Sequence, residues 1–362
     1  MNPERVIQPD KLKKKKKGLG LRIFLWSVFL FLLICGSIVT AGYHLFLQPN
    51  IVTTNQQPID FYIHSGSDYT EVKNNLISKQ VLIRPADFEM VSQWMKYPQL
   101  VKPGRYIIRH QMNNLELVRL LRSGAQTPVM VTFNNMRDIP QLAGRIAAQL
   151  EADSAGIVNI LSDEAFLSKL GYNQYTIPGL FIPNTYEFYW TTTEERFVMR
   201  MAEENLRFWN SERLQKAKSI GFSKNEVITL ASIIEKETNK NTEKETMAGV
   251  YINRLKKGWP LQADPTLVFA SGDFEIRRVL DKHKAIESPY NTYLNTGLPP
   301  GPICIPGISS IDAVLNHRNH SYFFFCARED LSGYHTFAET YAEHERNASR
   351  YRKALDRLNI KK

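Results

Sequence analysis

The chain has 362 residues, of which 43% are hydrophobic and 23% are charged, and its formal net charge is +10. This composition is that of a globular protein, and the length accommodates an anchor and two domains of about 100–200 residues each. Eight basic residues against two acidic ones place +6 within residues 1–22, so +10 minus +6 leaves +4 for the rest of the chain. That remainder is too small to indicate nucleic-acid binding.

An uncharged apolar run follows the basic residues, from 23 to 42. At 1.5 Å per residue, it spans a hydrocarbon core of about 30 Å. Because basic residues mark the cytoplasmic side, the sequence predicts a cytoplasmic tail at 1–22 and a transmembrane anchor at 23–43. A cleaved signal peptide is an alternative, although the run is long and no A-x-A site follows it. A lipoprotein signal ending at Cys35 is another, although Ile34 is bulky for the preceding position.

The other two cysteines, Cys304 and Cys326, would both face an oxidising compartment. One disulfide between them is possible, and a small buried thiol at Cys326 is the competing interpretation. The chain has no CxxC or HExxH spacing, so the sequence predicts neither a metal site nor a cofactor.

The first folded region is predicted to be small and to follow a polar, extended linker at 44–58. Periodicity indicates a strand at 61–64, helices at 69–79 and 86–95, a strand at 104–109, and a helix at 114–122 that Gly124 ends. The result is a β-α-α-β-α module within residues 59–126.

The remaining region, 127–362, is predicted to be a mainly helical domain with short strands, which makes the fold class α+β. A strand at 127–133 precedes a helix at 140–150, and helices are also predicted at 166–170 and 194–220. The aromatic run 179–190 is either core strand or a sugar-stacking surface, and composition favours core. Near the end, Ser309 and Asp312 predict a capped helix, followed by strands at 322–327 and 333–337 and a helix at 339–358.

A central helix is predicted after Ser223, which forms an S-x-x-E capping box with Glu226. Its apolar stripe runs from Val227 to Ile234, and the helical period places Glu235 and Glu237 on opposite edges of that stripe. A glutamate beside apolar surface keeps its proton near neutral pH, because desolvation penalises the charged form. The alternative is two solvated acids beside Lys236 and Lys240.

Polar and aromatic side chains are predicted to lie on two loops that follow this helix. The first loop, Leu261–Thr266, presents Asp264 just before a proline. The second, 288–307, is rich in proline and glycine and can form a fixed wall, in which Tyr290 and Tyr293 are natural sugar-stacking rings. A structural Ω-like loop is the alternative. His335 could carry protons but has no evident partner.

Several segments in order resemble the MltG/YceG-like family of endolytic murein transglycosylases: ASIIEKET at 231–238, YINRL at 251–255, LQADPT at 261–266, YNTY at 290–293, GLPPG at 297–301 and HTF at 335–337. The resemblance implies a single-pass inner-membrane anchor with a cytoplasmic N-terminus, a LysM-like module at 59–126 and a periplasmic YceG-like catalytic domain at 127–362. It further implies peptidoglycan glycan strands as substrate and peptidoglycan synthases as partners.

The family's catalytic acid directly precedes the threonine of the first segment, which implies Glu237 as the catalytic residue. The resemblance also suggests candidate substrate-binding residues: Glu235, Asn253, Gln262, Asp264, Thr266, Tyr290, Asn291, Tyr293, Thr185, Tyr186 and His335. This chain departs from the family pattern E-G-x-L-F-P-D-T-Y, because Pro178 and Asn184 replace its two acidic residues. That departure removes a second carboxylate from this segment.

The chemistry implied by the resemblance needs one residue that acts first as an acid and then as a base. Glu237 would protonate the bond between MurNAc and GlcNAc, and the C6 hydroxyl of MurNAc would close a 1,6-anhydro ring without water. Such cleavage would terminate the growth of nascent strands. Two alternatives remain: a hydrolytic muramidase, which leaves a reducing end, and a non-catalytic glycan-binding scaffold for wall synthases.

Overall fold

A computed structural model of the chain describes residues 19–276 and 278–358. Most of the predicted basic tail, residues 1–18, lies outside the described residues. The described residues form two compact units, divided between Thr127 and Pro128. Their fold is mixed α+β and mainly helical, with three two-stranded antiparallel sheets in the described part, which confirms the predicted class.

The first unit begins with a long apolar helix, α1, at Leu19–Gly42, which continues into a π-helical turn at Tyr43–Leu47. Together Gly20–Leu47 form the one helix among the described residues that is long and apolar enough to cross a membrane. This confirms the predicted N-terminal apolar helix, which fits a single-pass anchor.

A small two-stranded module follows in the predicted order of elements. These are β1 (Ile59–Ile63), α2 (Tyr69–Ser78), α3 (Pro85–Trp94), β2 (Gly104–Ile108) and α4 (Asn114–Ser123). The strands are antiparallel, with Phe61 opposite Tyr106. Both rings are buried in one apolar core with residues of all three helices. Gly124 ends α4 in the left-handed conformation, as the sequence predicted.

The predicted linker at 44–58 packs onto this module instead of extending freely from it. Ile51 is 1% exposed, and it forms an isolated bridge with Leu82. The buried amide of Asn50 donates to the side-chain oxygen of Asn114 at 2.7 Å. Polar composition suggested an extended linker, but its first part, around Asn50 and Ile51, packs onto the module, while residues 54–58 are exposed.

The second unit opens with a sheet and helices that bury several aromatic rings of the run 179–190. Its elements are β3 (Val129–Phe133), α5 (Ile139–Ala147), α6 (Ser154–Ile160), α7 (Glu164–Lys169), β4 (Asn184–Phe188) and α8 (Glu194–Phe208). Strands β3 and β4 pair with Val131 opposite Tyr186. Phe181, Tyr186 and Phe188 are at most 8% exposed, which confirms the core interpretation for these three rings, whereas Tyr189 is 56% exposed.

The single helix predicted at 194–220 is wrong, because two helices occupy this range. Helix α8 ends at Phe208, and α9 covers Ser211–Ile220. Asn210 caps α9 by accepting the N–H of Arg213 at 3.0 Å, while Trp209 is buried in the break. Asparagine favours this capping position, and the uninterrupted helical spacing concealed it.

The central helix α10 covers Lys224–Glu237, and its capping box between Ser223 and Glu226 is confirmed. All residues from 227 to 234 are buried, so the helix lies inside the core and not on its surface. Helices α11 (Asn241–Lys256), α12 (Asp264–Ser271), α13 (Asp281–Lys284) and α14 (Ile308–Leu315) follow, and α11, α12 and α14 pack against α10.

Two predicted local features differ from the structure. Asp264 and Pro265 begin α12 and do not lie in a loop, which suits a proline because the first helical turn needs no N–H donor there. Ser309 does not cap α14, whose N-cap is Gly307. The partners of the predicted cap are elsewhere: Ser309 accepts a hydrogen bond from Lys244, and Asp312 pairs with Arg213.

The chain ends with a hairpin of β5 (Phe324–Ala327) and β6 (His335–Ala338), followed by helix α15 (Tyr341–Arg357). Cys304 and Cys326 are both free thiols, so the possible disulfide between them is not formed. Cys304 is 1% exposed, and burial raises the pKa of its thiol to about 12.

Candidate active site

An open cavity of about 990 Å³ lies in the second unit at the end of α10. Its lining combines carboxylates, cations and apolar side chains: Arg137, Lys236, Glu237, Asp264, Pro265, Val268, Phe269, Phe274, Glu275, Ile276, Arg278, Val279 and Ile303. Of the twelve predicted site residues, two line it, Glu237 and Asp264. The cavity therefore brings together the end of the central helix and the start of α12.

Glu237 is the last residue of α10, where the helix leaves the core. The hydroxyl of Tyr251, on α11, donates to its Oε1 at 2.6 Å. Tyr251 is 1% exposed, so this donor is held in place by packing on all sides. Glu237 itself is half-buried, because one face of its side chain opens into the cavity.

The environment of Glu237 raises the pKa of its carboxyl group from 4.5 to about 7. Desolvation by the surrounding protein is the largest cause, and the negative charge of Asp264 raises the pKa further. The hydrogen bond from Tyr251 and the charge of Arg254 act in the opposite direction. A carboxyl group with a pKa near neutrality can both give and accept a proton, as general acid–base catalysis requires.

Asp264 also lines the cavity, as does Glu275, and its side chain is exposed. The hydroxyl of Tyr293 donates to its Oδ1 at 2.6 Å. Burial, and then Asp264 itself, raise the pKa of Tyr293, so this phenol stays protonated and remains a donor. The hydrogen bond between Tyr293 and Asp264 thus connects the loop 288–307 to the start of α12.

Arg254 supplies positive charge behind the site while its side chain holds the fold together. It is 9% exposed, and it donates to the carbonyl oxygens of Phe323 and Leu261, each at 2.7 Å. Burial lowers the pKa of this guanidinium from its usual value. Arg254 thus favours the charged form of Glu237 without itself lining the cavity.

Glu235 lies on the other side of α10 and has separate partners. Its Oε1 accepts from Asn135 at 2.9 Å, and its Oε2 accepts from Lys244 at 3.1 Å and from Ser310. The side chains of Lys244 and Glu235 are 5% and 11% exposed, so this is a buried ion pair. It ties α10 to α11 and α14 and does not line the cavity.

The predicted loop residues form a buried scaffold around Asp264. Asn291 is fully buried, donates to the carbonyl oxygens of Lys284 and Ile286, and accepts the N–H of Tyr293. The ring of Tyr290 is 8% exposed and packs against Phe269, with centroids 4.6 Å apart, so little of its face is accessible to a sugar.

The remaining residues of the LQADPT segment have backbone and buried roles. Thr266 is buried, and its hydroxyl donates to the carbonyl oxygen of Ala263 at 2.7 Å. Gln262 has an exposed side chain, a φ of 49° and an N–H that donates to the carbonyl oxygen of Thr292. These bonds fix the start of α12 and hence the position of Asp264.

The other four candidates lie outside the cavity lining. Asn253 donates to the carbonyl oxygens of His320 and Tyr322. The ring Nδ1 and backbone N–H of His335 both contact the carboxyl group of Glu243.

Thr185 and Tyr186 lie in β4, where their hydroxyls bond Thr132 and the carbonyl oxygen of Ile182. These bonds give the two residues a structural role in the sheet.

Most of the cavity lining was not predicted from the sequence, and Tyr251 and Arg137 are two instructive cases. Tyr251 is the first residue of the YINRL segment, from which Asn253, and not Tyr251, was predicted as a site residue. Arg137 comes from a distant part of the chain, and its guanidinium stacks 4.6 Å from the ring centre of Phe274. No local pattern marked Arg137, because its role depends on tertiary contacts.

The site as a whole contains one carboxyl group of raised pKa with a fixed donor, in an open cavity with cations and aromatic rings on its walls. Among the described residues, no group of three or more His, Cys, Asp or Glu side chains could hold a metal ion. These features make the cavity a candidate acid–base site.

Comparison with known proteins gives the family. The model of the YceG-like family matches residues 61–350, so the chain belongs to the YceG-like family. It is 29% identical over 320 residues to an endolytic murein transglycosylase of Bacillus subtilis (strain 168), covering 84% of this chain and 88% of that protein.

Two further relatives extend this comparison. An endolytic murein transglycosylase of Streptococcus pneumoniae (strain R6) is 26% identical over 357 residues, covering 90% of this chain and 64% of that protein. The chain therefore spans under two thirds of the pneumococcal relative. The crystal structure of a YceG-like protein from Listeria monocytogenes superposes with a TM-score of 0.55 at 27% identity, covering 80% of this chain and 98% of that one.

Proposed function

We propose that this protein is a membrane-anchored lytic transglycosylase that cleaves the MurNAc–GlcNAc bond of peptidoglycan strands. One observation carries the proposal: Glu237, with a pKa of about 7, faces an open cavity of about 990 Å³. The names of the Bacillus and Streptococcus relatives support murein as the substrate.

The proposed reaction uses Glu237 twice. Its protonated carboxyl gives a proton to the bridging oxygen, the C1–O bond of MurNAc breaks, and GlcNAc leaves as an alcohol. The resulting carboxylate then removes the proton from the C6 hydroxyl of MurNAc, whose oxygen bonds to C1 and closes the 1,6-anhydro ring. Glu237 ends the cycle protonated, so no water and no other acid are consumed.

The neighbours of Glu237 suit these two steps. The hydroxyl of Tyr251 holds Oε1, which orients the carboxyl group while leaving Oε2 for the substrate. Asp264 raises the pKa of Glu237, and its carboxylate in the same cavity would stabilise positive charge that develops at C1. Phe274 and the cations Arg137 and Lys236 provide apolar and charged surface for the rest of the strand.

A hydrolytic muramidase is the second candidate, and Asp264 is the observation that favours it. A glycosidase usually has a second carboxylate beside its acid, which activates water or attacks C1, and Asp264 lines the same cavity as Glu237. Mass spectrometry of digested sacculi separates the candidates. Anhydro ends support the transglycosylase, reducing ends would identify a muramidase, and intact strands would leave only a binding scaffold.

The pH profile of cleavage is expected to fall as pH rises through about 7, because the first step needs protonated Glu237. Tyr251→Phe removes a bond that lowers this pKa, so the falling limb should move up by about one pH unit. Asp264→Asn removes a charge that raises it, so the limb should move down. Profiles of kcat/KM measure both shifts, and movement in the same direction would contradict the assigned environment.

For the first unit, we propose a LysM-like, glycan-binding role for the module. A polar pocket of about 610 Å³ lies between β1 and α2, with Glu71, Asn74 and Asn75 among its lining. In a Glu237→Gln background, Asn74→Ala with Asn75→Ala is expected to weaken sedimentation of the protein with sacculi about tenfold. The matched control is Gln99→Ala, an exposed amide of the same unit, and equal loss in both would count against a glycan site.

The proposed placement is the inner membrane, with the N-terminus in the cytoplasm and the catalytic unit in the periplasm. The basic residues that precede α1 support this orientation. Peptidoglycan synthases working at the same surface are the proposed partners. Protease added to spheroplasts should digest the second unit, and its protection would contradict the orientation; cross-linking in cells tests the partners.

A further inference from the structure

The membrane helix and the module of the first unit are joined by packing. The apolar helix continues past Gly42 to Leu47 without a break, and Leu45 and Phe46 pack against the core of the module. The amide of Asn114, at the start of α4, donates to the carbonyl oxygen of Leu45 at 2.8 Å. The module is therefore attached to the side of the helix end.

The depth of this joint follows from helix geometry. The charge-free run of residues 23–42 fills a hydrocarbon core of about 30 Å, so the five residues after it rise about 7 Å further. The polar layer on each side of that core is about 5–8 Å thick. Tyr43–Leu47 consequently lie in the headgroup layer, and whatever packs sideways against them lies at the same depth.

Apolar side chains of the module are exposed at this depth. The ring of Trp94, at the end of α3, contacts Phe46 edge-on with centroids 5.0 Å apart, yet Trp94 is 71% exposed. Met90, one turn earlier, is 54% exposed, and Tyr43 and Leu47 are 56% and 48% exposed. Leu47, Met90 and Trp94 line an open, mostly apolar groove of about 810 Å³. Tryptophan and tyrosine are enriched at this level of membranes, where their rings contact both lipid and water.

The charges around the groove suit a lipid surface. Glu89, which lines it, is paired with Lys73 at 3.2 Å, so its negative charge is compensated. Arg119 lines the groove and Arg122 follows it on the same exposed face of α4. Arginine at this height reaches lipid phosphates while its methylene groups cover apolar surface.

We infer that the groove formed by Leu47, Met90, Trp94 and Arg119 rests in the headgroup layer of the membrane that α1 crosses. This surface holds the module against the bilayer at a fixed height. The inference rests on the proposed anchoring by α1 and adds a second membrane contact, made by the folded module.

The test uses the full chain in phosphatidylcholine nanodiscs, with and without bromine atoms on the upper acyl chain. The fluorescence emission of wild type minus that of Trp94→Phe is the emission of Trp94 alone. Because Trp94 is largely exposed, its replacement by phenylalanine should not disturb the fold. This difference emission is expected to be blue-shifted and to fall about twofold in brominated discs. The same subtraction with Trp209→Phe, whose ring is 5% exposed and therefore shielded by protein, should be unaffected by bromine.

Two results would overturn the inference. Red-shifted, unquenched emission would place Trp94 in water, and blue-shifted, unquenched emission would place it against protein, such as a second copy. Trp26, inside α1, distinguishes this failure from a failure of anchoring: subtraction with Trp26→Phe must show quenching if α1 is inserted.

Discussion

Glu237→Gln is expected to lower the rate of strand cleavage by about 10²–10⁴-fold, the usual contribution of a positioned acid and base. Glutamine keeps the shape of the side chain and can still accept the hydrogen bond of Tyr251. It can neither donate the proton to the bridging oxygen nor remove one from the C6 hydroxyl. Release of anhydro-muropeptides from purified sacculi, measured by mass spectrometry, checks this result.

The stability of the same variant is the control against misfolding. The pKa of Glu237 is raised from 4.5 to about 7, so the folded wild type loses stability as pH rises through that window. Glutamine has no charge to bury, and the variant should therefore be more stable than wild type above pH 7, by about 3 kcal/mol at most. Below pH 4.5 the two should be equally stable. A variant that lost activity together with stability at pH 8 would undermine the assignment.

Lys244→Met is expected to cost about 3–5 kcal/mol of unfolding free energy in the second unit, because it leaves a buried carboxylate without its cation. Glu235 is 11% exposed at its side chain and would keep only its bonds from Asn135 and Ser310. Hydrogen exchange of α10 peptides across a urea series measures the loss where it occurs.

Two further variants separate charge from packing at this pair. Adding Glu235→Gln to Lys244→Met removes the uncompensated charge and should recover part of the lost stability. Lys256→Met changes an exposed lysine of the same helix and should alter stability by less than about 0.5 kcal/mol. If Lys244→Met matched that control, the pair would have no structural importance.

Structural elements that are determined by a few neighbouring residues were predicted correctly from the sequence. The capping box of Ser223, the helix end at Gly124 and the apolar run of α1 all act within a few residues, and all were predicted. The same reasoning failed at Ser309. Its hydroxyl contacts Lys244 on another helix, and the helix begins at Gly307 instead.

The candidate site was harder to predict than the fold, because most of its polar residues also serve as structural donors. Asn291 and Asn253 are of a residue type common in binding sites, yet the side-chain amides of both donate to backbone carbonyl oxygens. Tyr251 was overlooked because an apolar helix normally buries tyrosine for packing alone. Only the tertiary arrangement brings its hydroxyl to Glu237.

The position of Glu237 at the final residue of α10 has an electrostatic consequence of its own. The aligned peptide dipoles of a helix place partial negative charge at its carboxyl end, where a further anion is unfavourable. A carboxylate formed there after proton donation is therefore destabilised relative to its protonated form. The helix end thus favours the protonated, neutral form of Glu237 before the reaction. For the same reason it makes the carboxylate formed after proton donation a stronger base, which speeds recovery of the protonated form.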